Sequence, residues 1–124
     1  MTELIEKKSR FVAYCADIAD ETEVKAIIER IRKEHKRSRH VVYAYVVSGK
    51  EKFNDDGEPN GTAGLPVLNA IKRRNLENII VVVVRYFGGI LLGKGGLMRA
   101  YGKAAGQELD KKDDKKDCGY FQRF

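Results

Sequence analysis

Asn78-Ile-Ile-Val-Val-Val-Val-Arg-Tyr86 is the stretch that decides the fold, and it runs directly into Phe87-Gly-Gly-Ile-Leu-Leu-Gly-Lys-Gly-Gly-Leu-Met-Arg-Ala-Tyr101. A continuous β-branched run predicts a strand buried on both faces, and so a central one. The segment after it holds five of the twelve glycines in the chain. Glycine serves positive φ and close approach of backbone to a ligand or another element. The segment is therefore either a binding loop or a tight crossing, and a helix from about Gly95 to Leu109 follows it.

Working outward, Arg10 to Ile18 alternates Phe11, Ala13 and Cys15 against Val12 and Tyr14, which predicts the first strand. Asp20 and Glu23 resemble a capping box, and Val24, Ile27, Ile28 and Ile31 recur at helical spacing over about residues 21–35. Val41 to Val47 is rich in Val and Tyr and predicts a strand, with a turn at Ser48-Gly49 and a short edge strand over 51–54. Asp55 to Gly64 carries three glycines, a proline and three carboxylates, so it is a loop. Pro66 and Asn75 bracket a second helix with Leu65, Val67, Leu68 and Ile71 inward. The predicted order is β-α-β-(β)-α-β-α, an α+β domain of about four strands with helices packed on the sheet.

At 124 residues the chain fits one domain. The run 110–117 is entirely Asp and Lys, and residues 110–124 are expected to form a solvated helix end or a disordered tail. No apolar run approaches the roughly 20 residues of a membrane span, and Met1 to Arg10 is too polar for a signal peptide. Cys15 and Cys118 lie in unlike settings, which predicts no disulfide framework, an inert Cys15 thiol and a cytoplasmic location. A formal charge of +6 and a pI near 9.3 favour polyanionic partners.

Gly88, Gly93 and Lys94 approach a nucleotide-binding P-loop in the right strand-to-helix context, but Gly95 stands where a hydroxyl would hold magnesium. Nucleotide hydrolysis is not expected, whereas phosphate binding with Lys94 and Arg99 is retained beside a purely packing role for Gly88, Gly89, Gly93, Gly95 and Gly96. Asp55, Asp56 and Glu58 are the residue types of a cation site or a general acid-base pair, but turn chemistry is the favoured role. Thr62 is read as the cap of the second helix. His35 and His40 have no thiolate or paired carboxylate in the sequence pattern and suggest no catalysis. No catalytic residue, metal or cofactor is expected.

Residues 30–40 hold six Lys or Arg against one Glu, and Lys72-Arg73-Arg74 closes the next helix. Arg37, Arg39, Arg85, Lys94 and Arg99 are the candidate nucleic-acid or phosphate contacts.

Three stretches together resemble the IMPACT/YigZ family: Ser9-Arg10-Phe11, then Asp55-Asp-Gly-Glu-Pro-Asn-Gly-Thr-Ala-Gly-Leu-Pro66, then Arg85 to Tyr101. The resemblance spans about residues 5–109, the family's amino-terminal domain. It implies a fold similar to domain 2 of ribosomal protein S5 and domain IV of elongation factor G. It also implies a translation-associated role, with RNA, the ribosome or a translation-control protein as partner. Eukaryotic relatives compete for the activator of the initiation-factor kinase that responds to amino-acid starvation, a stress response. Bacterial members usually continue into a ferredoxin-like second domain, so the resemblance implies a truncated chain or one without that domain. Asn60 and Val84 stand where relatives often have Ser and Thr. The alternative reading is an enzyme or small-ligand binder that uses Asp55, Asp56, Glu58 and Lys94 on a phosphorylated ligand.

Overall fold

The structure, a computed structural model, describes residues 1–115. Its elements are β1 (Thr2–Glu6), β2 (Ser9–Asp17), α1 (Thr22–Glu34), β3 (His40–Val47), β4 (Lys50–Asn54), α2 (Gly64–Arg73), β5 (Ile79–Tyr86) and α3 (Gly93–Lys115). The five strands form one antiparallel sheet in the order β1-β2-β5-β3-β4, with the valine-rich strand at its centre.

The alternation of β5 divides the core in two. Ile79, Val81 and Val83 join Phe11, Val42 and the inner faces of α2 and α3, while Ile80, Val82 and Val84 join Val12, Val41 and α1. Both faces of β5 are thus apolar because both are covered, as its unbroken β-branched run requires. Phe11 meets Tyr101 of α3 edge-on, with centroids 5.1 Å apart, which fastens the longest helix to the second strand.

Three expectations need correction. The sheet has five strands because β1 pairs with β2 through a two-residue hairpin turn at Lys7 and Lys8, both at positive φ (44° and 67°). Such turns usually carry Asn-Gly, and a Lys-Lys pair gives no turn signal. The same geometry at Ser48-Gly49, where glycine is present, joins β3 to β4. The last helix also starts earlier than predicted, at Gly93, and continues to Lys115 through the first part of the Asp/Lys run. The rest of the expected tail, 116–124, lies outside the described residues. Cys15 is buried on the α3 side of β2 but is not a free thiol, so the prediction of an inert core thiol fails.

Candidate functional site

One end of the sheet collects Ser9-Arg10-Phe11, the Asp55 loop and the start of the glycine segment, whereas Lys72, beside Glu51, lies toward the other end. The register places Arg10 opposite Tyr86 and His40 opposite Arg85, so β2 and β3 begin where β5 finishes. The loop from Asp55 to Ala63 returns to the same end and is held there by its own carboxylates. Asp55 accepts hydrogen bonds from the amides of Gly61 (3.0 Å), Ala63 (3.2 Å) and Gly64 (2.8 Å), and so caps α2. Thr62, expected in that role, instead donates to the Pro59 carbonyl at 2.5 Å. Asp56 accepts from the Val41 amide at 2.6 Å and from Arg32 at 3.0 Å.

Glu58 points inward. Arg85 Nη1 donates to both its oxygens, at 3.0 and 2.7 Å, and the Tyr101 hydroxyl donates to Oε2 at 2.5 Å. Arg85 Nη2 reaches Ser9 Oγ at 3.3 Å, and His40 Nε2 lies 3.4 Å from Glu58 Oε1. Burial, followed by the hydrogen bond to Glu58, holds the Tyr101 phenol proton well above its ordinary range. Arg85, only 5 % exposed, is therefore an internal counter-ion and not the nucleic-acid contact its sequence position suggested. His40 does have a carboxylate partner after all. Sequence spacing hid this because the two are brought together only by the returning loop.

The carboxylates of this loop are thus occupied in holding it. Among the described residues, no group of three or more His, Cys, Asp and Glu side chains is placed to hold a metal ion.

Outside this buried cluster the same end is basic and partly aromatic. The Arg39 guanidinium lies over the ring of Phe87 at 5.0 Å, and that of Arg10 over Tyr86 at 5.1 Å. Arg37 is exposed, with no ion pair among the described residues, whereas Arg10, Arg30, Arg32, Lys72 and Arg74 are each paired with a carboxylate, Arg10 with Glu3 at 2.6 Å. His35, beneath this surface, bridges Tyr14 and Tyr86, and burial lowers its pKa below the ordinary histidine value.

The glycine segment resolves into separate tasks. A Cβ on Gly88 would sit 2.0 Å from the Lys8 carbonyl oxygen, so here the chain crosses the β1–β2 turn at backbone contact. Gly89 and Gly93 instead supply positive φ (88° and 73°) with open space around them. On either side of Gly95 and Gly96, Lys94 and Arg99 are exposed on the first turns of α3. No hydrogen bond, ion pair or ring contact among the described residues joins them to Arg37 or Arg39. The segment also exposes Ile90, Leu91 and Met98, Leu91 to 82 %. These apolar residues were missed because they follow no period.

Residues 7–109 match the Impact N-terminal domain. The chain is 45 % identical over 111 residues to the IMPACT family member YvyE of Bacillus subtilis, covering 87 % of this chain and 51 % of that protein. It is 44 % identical over 108 residues to the IMPACT family member YigZ of Escherichia coli, covering 83 % and 53 %. The chain spans about half the length of these curated relatives. Among solved structures, a hypothetical protein superposes with a TM-score of 0.83 at 43 % identity, over 89 % of this chain and 57 % of that one. The two-domain translational regulator Yih1 superposes at 0.54 and 24 % identity, over 84 % and 43 %, a likeness of fold alone.

Proposed function

The chain belongs to the Impact N-terminal domain family, and from that premise we propose that it is a non-catalytic, translation-associated domain that binds RNA or the ribosome's RNA surface. The observation that carries this reading is the pairing of Arg39 with Phe87 and of Arg10 with Tyr86 at one end of the sheet, beside Arg37, which has no ion pair among the described residues. Unstacked bases are held on aromatic and guanidinium planes, and phosphates by neighbouring cations. A kinship of fold with domain 2 of ribosomal protein S5, and a cytoplasmic location, belong to the same proposal. Among the described residues no helix is long and apolar enough to cross a membrane.

The carboxylates that an enzymatic reading would use are engaged: Asp55 with helix amides, Asp56 with Val41 and Arg32, Glu58 with Arg85 and Tyr101. That weighs against the phosphorylated-ligand enzyme. A second binding reading, contact with a translation-control protein, is favoured by the exposed Ile90, Leu91 and Met98.

Fluorescence anisotropy with labelled single-stranded RNA over a range of NaCl tests the proposal. Binding is expected to weaken with salt by roughly 0.7 log units per phosphate neutralised, for each log unit of salt. The R37A/R39A variant should lower that slope by about 1–2 with an unchanged melting temperature. No salt-dependent binding, or binding indifferent to these arginines, rejects the RNA reading. Binding of a purified translation-control protein that is abolished by I90S/L91S would establish the second.

A further inference from the structure

We propose that the cavity between the β1–β2 turn and the first turns of α3 is a phosphate-binding site in which Lys7, Arg99 and Lys103 hold a phosphoryl group. The cavity measures about 230 Å3 and is also lined by Glu6 and, on its uncharged walls, by Leu92 and Gly96. Pockets that enclose drug-sized ligands run to roughly 300–1,000 Å3, so this one suits a single anionic group and its immediate attachment.

Its cations come from two elements far apart in sequence, and their juxtaposition is enforced. Gly88 crosses the Lys8 backbone so closely that no side chain fits between them, which fixes the Lys7-Lys8 turn against the chain entering α3. Lys7 itself is held at φ 44°. Arg99 and Lys103 stand one helical turn apart on the facing side of α3.

Among the described residues none of these three cations has an ion-pair partner. Three positive charges against one carboxylate leave the cavity with a local charge of +2. Like charges held in a concave space repel unless an anion joins them, and a phosphate dianion matches both the charge and the donors. The planar guanidinium of Arg99 suits paired oxygens, and the lysines act as point charges. Lys94, which the P-loop-like spacing singled out, does not line this cavity.

Inorganic phosphate, a free nucleotide and the 5′-phosphate of an RNA share this chemistry, and only the last rests on the RNA reading above. The test is a titration of the whole chain with inorganic phosphate at constant ionic strength, followed by thermal shift and by amide chemical shifts. A saturable rise in melting temperature is expected, with shifts concentrated at Lys7, Gly96, Arg99 and Lys103. Affinity should fall about tenfold in each of K7N, R99Q and K103Q, the loss of one charge-assisted contact. Asn is chosen at position 7 because it tolerates positive φ. K25Q, on the opposite helix, should bind like the parent, and K103R should retain most of the affinity. Adenosine 5′-monophosphate, and RNA oligonucleotides with and without a 5′-phosphate, then identify the source. No saturable phosphate binding, or binding that survives K7N/K103Q, overturns the proposal. RNA binding that persists in that variant leaves the RNA reading standing, and phosphate binding without RNA binding does the reverse.

Discussion

Replacing Glu58 by Ala removes the anion around which the motif loop, β5 and α3 are joined. Arg85 would keep a single side-chain hydrogen bond among the described residues, to Ser9 at 3.3 Å, beside its ring contacts with Phe11 and Phe87, in a site where its side chain is nearly inaccessible and its Nε has no partner among the described residues. Breaking a buried pair from one side costs about 3–5 kcal/mol, because the remaining charge is left uncompensated. The Tyr101 hydroxyl loses its acceptor as well, a further cost of about 1–3 kcal/mol if it finds no other. These losses share one cluster and do not add, so about 4 kcal/mol is the expected total for E58A. At roughly 3–5 °C per kcal/mol for a domain of this size, the melting temperature should fall by about 12–20 °C. Urea unfolding followed by far-ultraviolet circular dichroism gives the free energy directly. The E58L/R85M double variant supplies the control, since a buried pair exchanged for apolar residues loses no charge partner, and it should be less destabilised than E58A. A loss below about 1 kcal/mol in E58A, or a double variant worse than the sum of its singles, would refute the reasoning.

Further expectations concern the loop, the crossing and pH. D55A should cost about 2 kcal/mol in chemical denaturation, because the loop amide of Gly61 and the amides of Ala63 and Gly64 at the start of α2 lose their acceptor. G88A and G89A should differ sharply: the first forces a Cβ into the Lys8 carbonyl and should cost about 3 kcal/mol or more, the second only about 1 kcal/mol for its positive φ. Equal losses in the two would disprove the close crossing. Glu21, hydrogen-bonded by Tyr45 and Lys50, has its pKa lowered to about 2 from 4.5. A depressed carboxylate stabilises the fold above its unfolded pKa, so that contribution is complete above about pH 4.5 and disappears as pH falls toward 2. Denaturation curves of the parent and E21Q should therefore converge across that window. For His35, held neutral by burial, the sign also favours higher pH: stability falls as pH drops below 6.5, where the unfolded chain takes up a proton. The H35Q variant should flatten the pH dependence of stability there.

The central strand was legible in the sequence because six consecutive β-branched residues admit few environments, and the structure buries all six. The capping box was legible in half: Glu23 accepts from the Asp20 amide at 3.1 Å, but the Asp20 side chain accepts from the Thr22 amide at 2.8 Å and not from that of Glu23, and the capping position falls at Glu21. β1 was not, since Lys7 and Lys8 adopt a turn their residue types do not advertise and only pairing with β2 stabilises it. Asn75, at φ 52° just past α2, shows the opposite case of a residue type suited to its backbone. The role of Glu58 was hidden for a different reason. A carboxylate in a glycine-rich loop reads alike whether it faces solvent, a metal or a buried arginine, and only the return of the loop to β5 decides.

That return also explains why the three motif stretches belong together. Ser9, Glu58, Arg85 and Tyr101 are drawn from all of them, and each touches another within one buried network. The network makes the end of the sheet rigid, because each member satisfies a polar group that would otherwise be buried without a partner. Rigidity there has a consequence for whatever the end binds. Phe87 follows two residues after Arg85, and Gly88 is pinned on Lys8, so the aromatic ring beneath Arg39 and the turn carrying Lys7 are both referenced to the same buried carboxylate. A partner meeting these groups pays little to order them, since their backbone is already fixed. Loosening the network at Glu58 should therefore weaken binding even though Glu58 itself is too deep to touch a ligand. Anisotropy with RNA at a temperature where E58Q remains folded measures that coupling, and undiminished affinity in a folded E58Q would show that the buried cluster and the outer surface are independent.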